Sequence, residues 1–486
     1  MSAASTLTAR RGPALAVLCF VQFMLILDDN VVSIALPTIR GDLGFSATGL
    51  SWVVNAYFLA FGGLLLLFGR AGDFFGRRRV FLTGVALFGA ASLLCGVAQE
   101  PWQLVTGRFF QGGGAAMASP AALSLITLLF PGKEERTKAI GIWGGIAALG
   151  GTMGLVISGV LTDLTSWRWI FLINLPVAVV ALILLPRLVP ESRATVRTRL
   201  DVPGAVLGTG AAVSLVWGLL RVGESSWTDS AAVGSLLLSA IMTVAFLAVE
   251  SCSSAPLVPL SFFALRTRAV ANAATLLFSA SFYAMAFLLM IHLQSVLDYG
   301  PLEAGIAYLP YCAGIFAGMW LSTRMATKLG ARWTLVAAFL ISAVGLVMLS
   351  GVARGDDYAS AVLPGMLVTS LGCGLTLPTL SVAALAGTNE EDAGLGSAIF
   401  SSVQQIGGAV GVAVLISLAT WRSEGLTGSV ELLSARTSGF SFALAVAAVI
   451  LVFGAALIAV LLRGPRTSDA KSAETPGRPM ARSTAE

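Results

Sequence analysis

Charge is what this chain has least of. Asp, Glu, Lys and Arg together make up 11% of its 486 residues, against about 25% in an ordinary soluble domain. So few charges cannot cover a water-soluble core of this size. Histidine occurs once, at His292, and the five cysteines (Cys19, Cys95, Cys252, Cys312 and Cys373) stand far apart with no CxxC pair. That scarcity argues against a disulfide framework, a redox motif and a His/Cys metal site. No Gly-x4-Gly-Lys-Ser/Thr loop is present, since Gly132 and Lys133 are followed by Glu134, so nothing supports ATP drive within the chain. A single His and no GxSxG element argue against a membrane-embedded enzyme. No catalytic group, metal or cofactor is expected.

What the chain has instead is apolar length. Hydrophobic residues reach 56%, with 53 glycines, and the mean hydropathy is +0.87. Fourteen apolar runs, bounded by charges or turn residues, follow one another from about 14–36 to about 439–462. Each suits a span of ~20 residues, and no alternating strand pattern recurs, which argues against a β-barrel. The first run follows Arg10 and Arg11 like a signal peptide, but it is too long for an h-region and contains two aspartates; it reads as a membrane helix that stays in place.

An even number of spans puts both termini on one side. With the N-terminus inside, 23 of the 30 Lys and Arg residues fall on inner segments, 6 on outer ones, and Arg108 alone within a span. The positive-inside rule then makes both termini cytoplasmic. The same asymmetry accounts for the net charge of +5 without a nucleic-acid partner. One inner connection, at Glu390, Glu391 and Asp392, lacks Lys and Arg.

The chain also repeats itself. Gly150-Gly151 and Gly154 in the fifth span recur as Gly407-Gly408 and Gly411 in the thirteenth, at a constant offset of 257 residues. Gly76 and Arg78 after the second span match Gly330 and Arg332 after the tenth. The reading is an all-α integral membrane protein of fourteen transmembrane helices. It divides into a six-helix bundle over 12–190, an inserted helix pair over 200–255 and a second six-helix bundle over 265–463, in parallel repeat. The Ser-, Thr-, Pro- and Arg-rich tail, 464–486, has the composition of a disordered segment.

Two stretches carry the chemistry. The loop Gly69–Val80 reads GRAGDFFGRRRV, with Asp73 set between Gly69 and Gly76 and followed by Arg77, Arg78 and Arg79. A positive-inside anchor explains part of the arginine cluster but not the Asp between paired glycines. In the first span, Leu27–Pro37 reads LDDNVVSIALP. A carboxylate at helix depth costs ~2.5–3.5 kcal/mol on insertion scales, which makes Asp28 and Asp29 in succession unlike chance features. Asp28 lies ~12 Å from the outer end of its span and Arg108 ~9 Å from the outer end of the fourth, at 1.5 Å per residue. At comparable depth the two opposite charges can pair, either as a static bridge or as a proton-responsive one in which moving the arginine away raises the carboxyl pKa. Asp29, ~100° around the helix, must face elsewhere. Of the membrane amides, Gln22, Asn55, Gln111 and Gln404 are candidate cavity residues, with Gln22 and Gln404 preferred because they fall near the middle of their spans.

These motifs resemble the major facilitator superfamily. Gly69, Asp73, Gly76, Arg77 and Arg78 match its signature after the second helix, G-x-L-x-D-R-x-G-R-R/K, with Phe74 in place of a basic residue. LDDNVVSIALP is similar to the L-D-x-T-V-V-N-V-A-L-P element of the fourteen-span drug:proton antiporter branch. Arg108, Gln111, Gly112 and Gly114 match that branch's span-4 arginine motif. Ser166–Pro176, SWRWIFLINLP, is similar to the start of its sixth span, and Asp201, Pro203 and Gly204 to the start of its extra helix pair. The likeness covers about residues 14–462. It implies a proton-coupled secondary exporter of hydrophobic or amphipathic drugs, working as a monomer in the bacterial cell membrane. Its partners are cargo, protons and lipids. Asp28, Asp29 and Arg108 would couple protons, and the Asp73 loop would act as a conformational latch against a helix of the second half.

The span-5 antiporter element G-P-x-x-G-G is altered. Gly150, Gly151, Gly154 and Gly159 remain, but Leu155 replaces the proline and Ser158 a glycine. That departure keeps a second function open, export or facilitated transport of an endogenous metabolite without obligatory proton antiport.

Overall fold

The computed structural model describes residues 3–46, 48–192, 200–253, 255–353, 356–388, 393–425 and 432–462. Glu390, Glu391, Asp392 and the tail after residue 462 lie outside the described residues. Among the described residues every regular element is a helix. In chain order they are α1 (Ala3–Leu43), α2 (Trp52–Phe75), α3 (Arg77–Gly96), α4 (Pro101–Leu129), α5 (Lys133–Leu164), the short α6 (Trp169–Leu172) and α7 (Asn174–Leu188). Next come α8 (Val202–Glu224) and α9 (Ser230–Cys252), then α10 (Arg266–Ser295), α11 (Pro301–Ala307), α12 (Leu309–Ser350), α13 (Leu363–Ala384), α14 (Ala393–Glu424) and α15 (Leu432–Leu461). In hydrocarbon every backbone N–H and C=O must be satisfied within the segment, and sequences this apolar and this long meet that demand as helices.

Local chemistry sets several boundaries. Pro101 opens α4 behind a Glu100–Gln103 capping box, Asp201 caps α8 by accepting from the Gly204 N–H, and Asp229 caps α9 from the Ala232 N–H. Gly76 separates α2 from α3 with φ 110°, a conformation nearly closed to residues with a Cβ.

Thirteen segments among the described residues are long and apolar enough to cross a membrane, where fourteen apolar runs were expected. The difference lies at Pro301–Ser350, a single segment of 50 residues. At 1.5 Å per residue this is ~75 Å of helix, over twice a ~30 Å hydrocarbon core. Gly330 breaks its helical geometry, with φ 75° and ψ 162°.

The helices before residue 190 pack chiefly on one another: α1 on α5 and α7, α2 on α4, and α3 on α4 and α7. Those after residue 265 do likewise, with α12 on α13 and α15, and α10 on α14 and α15. Contacts between the two groups run through α2 with α14 and α5 with α11, while α8 leans on both α2 and α14. Small residues permit these approaches. A Cβ at Gly114 would lie 2.7 Å from the Gly84 carbonyl, so α3 and α4 meet backbone to backbone. Such packing is the main source of helix association where lipid removes the hydrophobic drive.

Candidate functional site

Asp28 and Arg108, far apart in sequence, form a buried ion pair. Arg108 Nη1 donates to Asp28 Oδ2 at 2.5 Å, and the side chains are 0% and 1% exposed respectively. The helical register of α4 brings Gln111 onto the same face one turn on. Its Oε1 accepts from Arg108 Nη1 at 2.9 Å, and its Nε2 donates to Asp28 Oδ1 at 3.1 Å and to Ser92 Oγ at 2.8 Å. Asn174, at the start of α7, donates to Asp28 Oδ1 at 2.8 Å. Arg108 Nε donates to the Val53 carbonyl at 2.9 Å, and its guanidinium lies 4.4 Å from the Tyr57 ring centre. Five helices, α1, α2, α3, α4 and α7, thus contribute to one polar knot. An unpaired charge here would carry its desolvation cost uncompensated; with these partners both oxygens of Asp28 are satisfied.

Asp29 points elsewhere. It lines a cavity of about 210 Å³ bounded by α1, α2, α5, α10 and α12, together with Asn30 and Ser33. Among the described residues Asp29 is the one Asp, Glu, Lys, Arg or His in that lining. Its Oδ1 is buried and has no hydrogen-bond partner among the described residues. The walls are aromatic and sulfur-bearing: Phe58, Tyr283, Tyr308, Tyr311, Met290 and Met319. Phe58 from α2 meets Tyr283 from α10 edge to face at 4.7 Å, so this wall joins helices from before residue 190 and after residue 265. Where α1 nears its C-terminal end the two groups also touch through Gln294 Nε2, which donates to the Ile34 carbonyl at 2.8 Å.

The glycine face of α5 explains how α1 is held beside the cavity. Cβ atoms at Gly150 and Gly154 would lie 3.1 Å from the Phe23 carbonyl and 3.2 Å from the Leu27 carbonyl. Gly151 lines the cavity, and Gly159 packs on the other group of helices, where a Cβ would lie 2.8 Å from the Pro301 carbonyl. Ser158, which replaces a glycine of the expected element, donates to the Val31 carbonyl at 2.5 Å. No proline interrupts α5.

In the Gly69–Val80 loop, Asp73 Oδ1 accepts from Arg77 Nη2 at 2.9 Å and Nε at 3.1 Å. Gly69 faces Pro120 of α4. Arg78 donates through its backbone N–H to Glu191 Oε1 at 3.1 Å and through Nη1 to the Val189 carbonyl at 2.9 Å. The loop is therefore tied to the segment after α7. Among the described residues Asp73 has its ion pair with Arg77 and none with a helix after residue 265.

Of the four candidate amides, Gln111 joins the knot, and none of the four lines the cavity beside Asp29. Gln22 and Asn55 are buried, with Gln22 Oε1 and both polar atoms of Asn55 unpartnered among the described residues. Gln404 is half-buried on α14, while its neighbour Gln405 packs against α2 where a Gly62 Cβ would lie 2.9 Å from the Gln405 Cβ. Sequence reasoning missed Ser92, Asn174 and Glu191. Asn174 carried a signal, a lone amide inside the apolar WIFLINLP stretch; Ser92 and Glu191 carried none.

A family model for the Major Facilitator Superfamily matches residues 18–412, and the chain belongs to that family. It is 38% identical over 482 residues to a puromycin resistance protein, pur8, of Streptomyces alboniger, covering 97% of this chain and 95% of that one. It is 39% identical over 413 residues to a lincomycin resistance protein of Streptomyces lincolnensis, covering 84% of each. Among solved structures it matches an inward-facing, unoccupied bacterial homologue of the human lysosomal transporter Spinster. That match has a TM-score of 0.69 at 17% identity, over 93% of this chain and 97% of the other, and it speaks to fold.

Proposed function

We propose that this chain is a proton-coupled secondary exporter of hydrophobic or amphipathic antibiotics across the bacterial cytoplasmic membrane. The observation that carries the reading is the cavity itself: an apolar, aromatic chamber between two groups of helices, with Asp29 as its one formal charge. Relatives named for puromycin and lincomycin resistance support the cargo class. At about 210 Å³ the chamber is smaller than the ~300–1,000 Å³ of drug-sized sites. Bulky cargo therefore needs the helices around it to part.

Of Asp28, Asp29 and Arg108, which the span-1 and span-4 motifs associate with proton coupling, the geometry favours Asp29 as the proton carrier. Asp28 accepts from Arg108, Gln111 and Asn174, so taking a proton would break the knot. Asp29 has an oxygen unpartnered among the described residues and faces the cavity. In this reading Asp29 exchanges the proton, and Asp28 with Arg108 holds α1 and α4 in register. One charge moving through 100 mV is worth ~2.3 kcal/mol, close to fiftyfold at 1.4 kcal/mol per decade. One proton per cargo suffices for useful export.

Both termini are cytoplasmic in this arrangement, and Gly330 marks the inner turn between two spans, giving fourteen. Two six-helix halves rock about the cavity, and the chain works as a monomer among lipids. Asp73 with Arg77 stabilises one end state by meeting a helix of the second half as the inner side closes. The decisive test is ΔpH-driven export of puromycin from proteoliposomes. Asp29→Asn abolishes the coupling, and Asp29→Glu retains part of it. Undiminished pH-driven export by Asp29→Asn would remove Asp29 from this role.

A further inference from the structure

Two further buried carboxylates lie outside the cavity lining, where α8 begins and α9 finishes. Asp201 is 7% exposed and Glu250 3%. Each spends one oxygen on the backbone. Asp201 Oδ1 accepts from the Gly204 N–H at 2.8 Å, and Glu250 Oε2 accepts from the Val258 N–H at 3.1 Å. The other oxygens, Asp201 Oδ2 and Glu250 Oε1, are buried without a hydrogen-bond partner among the described residues. Both groups crowd the same glycine: a Cβ at Gly204 would lie 2.9 Å from Glu250 Oε1 and 3.1 Å from Asp201 Oδ1.

Neither carboxylate forms an ion pair among the described residues. The charged group facing them from α2 is Arg70, whose Nη1 donates to the Ala255 carbonyl at 2.9 Å. Among the described residues, the segment after α9 and helix α14 bring no charged side chain to the apolar cavity of about 300 Å³ that reaches Gly204. They contribute Leu257, Val258, Phe263, Ile399 and Ser402 to it. Two buried carboxyl oxygens without a donor beside one glycine carry an uncompensated desolvation cost, and a proton held between them would give each a partner.

We propose that Asp201 and Glu250 form a second proton-binding site, holding one shared proton between Asp201 Oδ2 and Glu250 Oε1. The O–H on one carboxyl donates to the free oxygen of the other, which gives both unpartnered atoms a partner. Arg70 offsets the single remaining negative charge. The site lies outside the central cavity and binds the α8–α9 pair to α2 beside the Gly69–Val80 loop. Its proton therefore governs how tightly the inserted pair grips the helix that carries that loop.

The test is infrared spectroscopy of the full chain in liposomes, following the C=O stretch of protonated carboxyl groups. At about pH 7.5 an ordinary Asp or Glu is almost wholly ionised. The wild type is expected to retain the band of one protonated carboxyl there. Glu250→Gln and Asp201→Asn each remove that band, since the survivor ionises beside Arg70. Asp201→Asn also alters the α8 cap, so Glu250→Gln decides the matter if the other variant folds poorly. Asp29→Asn leaves the band in place, which separates this site from the exchange proposed for the cavity. A band of unchanged intensity in Glu250→Gln, or a wild-type spectrum without it at that pH, overturns the proposal.

Discussion

Asp28 and Asp29 are consecutive on one helix and live in different surroundings. The first is closed in by Arg108, Gln111 and Asn174 and is fully buried. The second faces an aromatic chamber with an oxygen that has no hydrogen-bond partner among the described residues. A turn of ~100° between neighbours is enough to part them. The contrast teaches that a membrane carboxylate is not defined by depth alone. One held by a guanidinium and two amides has its hydrogen-bonding capacity filled, and one beside a cavity keeps capacity to spare, which is the distinction on which the proposed proton exchange at Asp29 rests.

The comparison can be broken by removing the partner of the held carboxylate. Arg108→Ala leaves Asp28 buried and uncompensated, and removing one partner of such a pair typically costs ~3–5 kcal/mol. The variant should melt well below the wild type in detergent and be recovered poorly; a wild-type melting curve would show that the knot is not structural. Tyr57→Leu keeps the ion pair but deletes the ring 4.4 Å from the Arg108 guanidinium, a contact worth ~0.5–2 kcal/mol. Its thermal shift should be smaller and in the same direction.

At the half-exposed Asp73–Arg77 pair, Asp73→Asn should cost ~0–1 kcal/mol while slowing transport through the loop. A large stability loss would mean that the pair is scaffold like Asp28–Arg108. Smallest of all is Asp29→Asn. With no partner on its Oδ1 among the described residues to forfeit, its melting temperature should drop far less than that of Arg108→Ala, even as proton-coupled export disappears. If it unfolds like Arg108→Ala, the distinction between the two carboxylates fails.

Much of this was legible in the sequence. Apolar runs place the helices because lipid permits few alternatives, and the pairing of Asp28 with Arg108 follows from two opposite charges at matched depth. The notched segment at Gly330 shows where legibility thins. Apolar residues on either side of Gly330 form two runs in the sequence, yet the chain continues as helix on both sides of that one glycine with φ 75°. Depth favours Gln22 and Gln404 as cavity residues, and Asn55 is a further membrane amide. Depth does not say which way a side chain turns, and none of them reaches the lining beside Asp29. Asn174 and Ser92 complete the knot from α7 and α3, and no pattern in either helix announces it.

By itself, the sequence determined that this chain enters a membrane as helices and that its few interior charges must find one another. Scarcity of charge and the cost of unsatisfied backbone in lipid leave little else. Only the tertiary structure decided which aspartate is locked and which is open, and that Asp201 and Glu250 share a glycine. Those outcomes depend on how α4, α7 and α9 are rotated and brought alongside their neighbours. That rotation is set by close contacts such as Gly84 on Gly114, which arise from packing between helices and leave no trace in the hydropathy of any one of them.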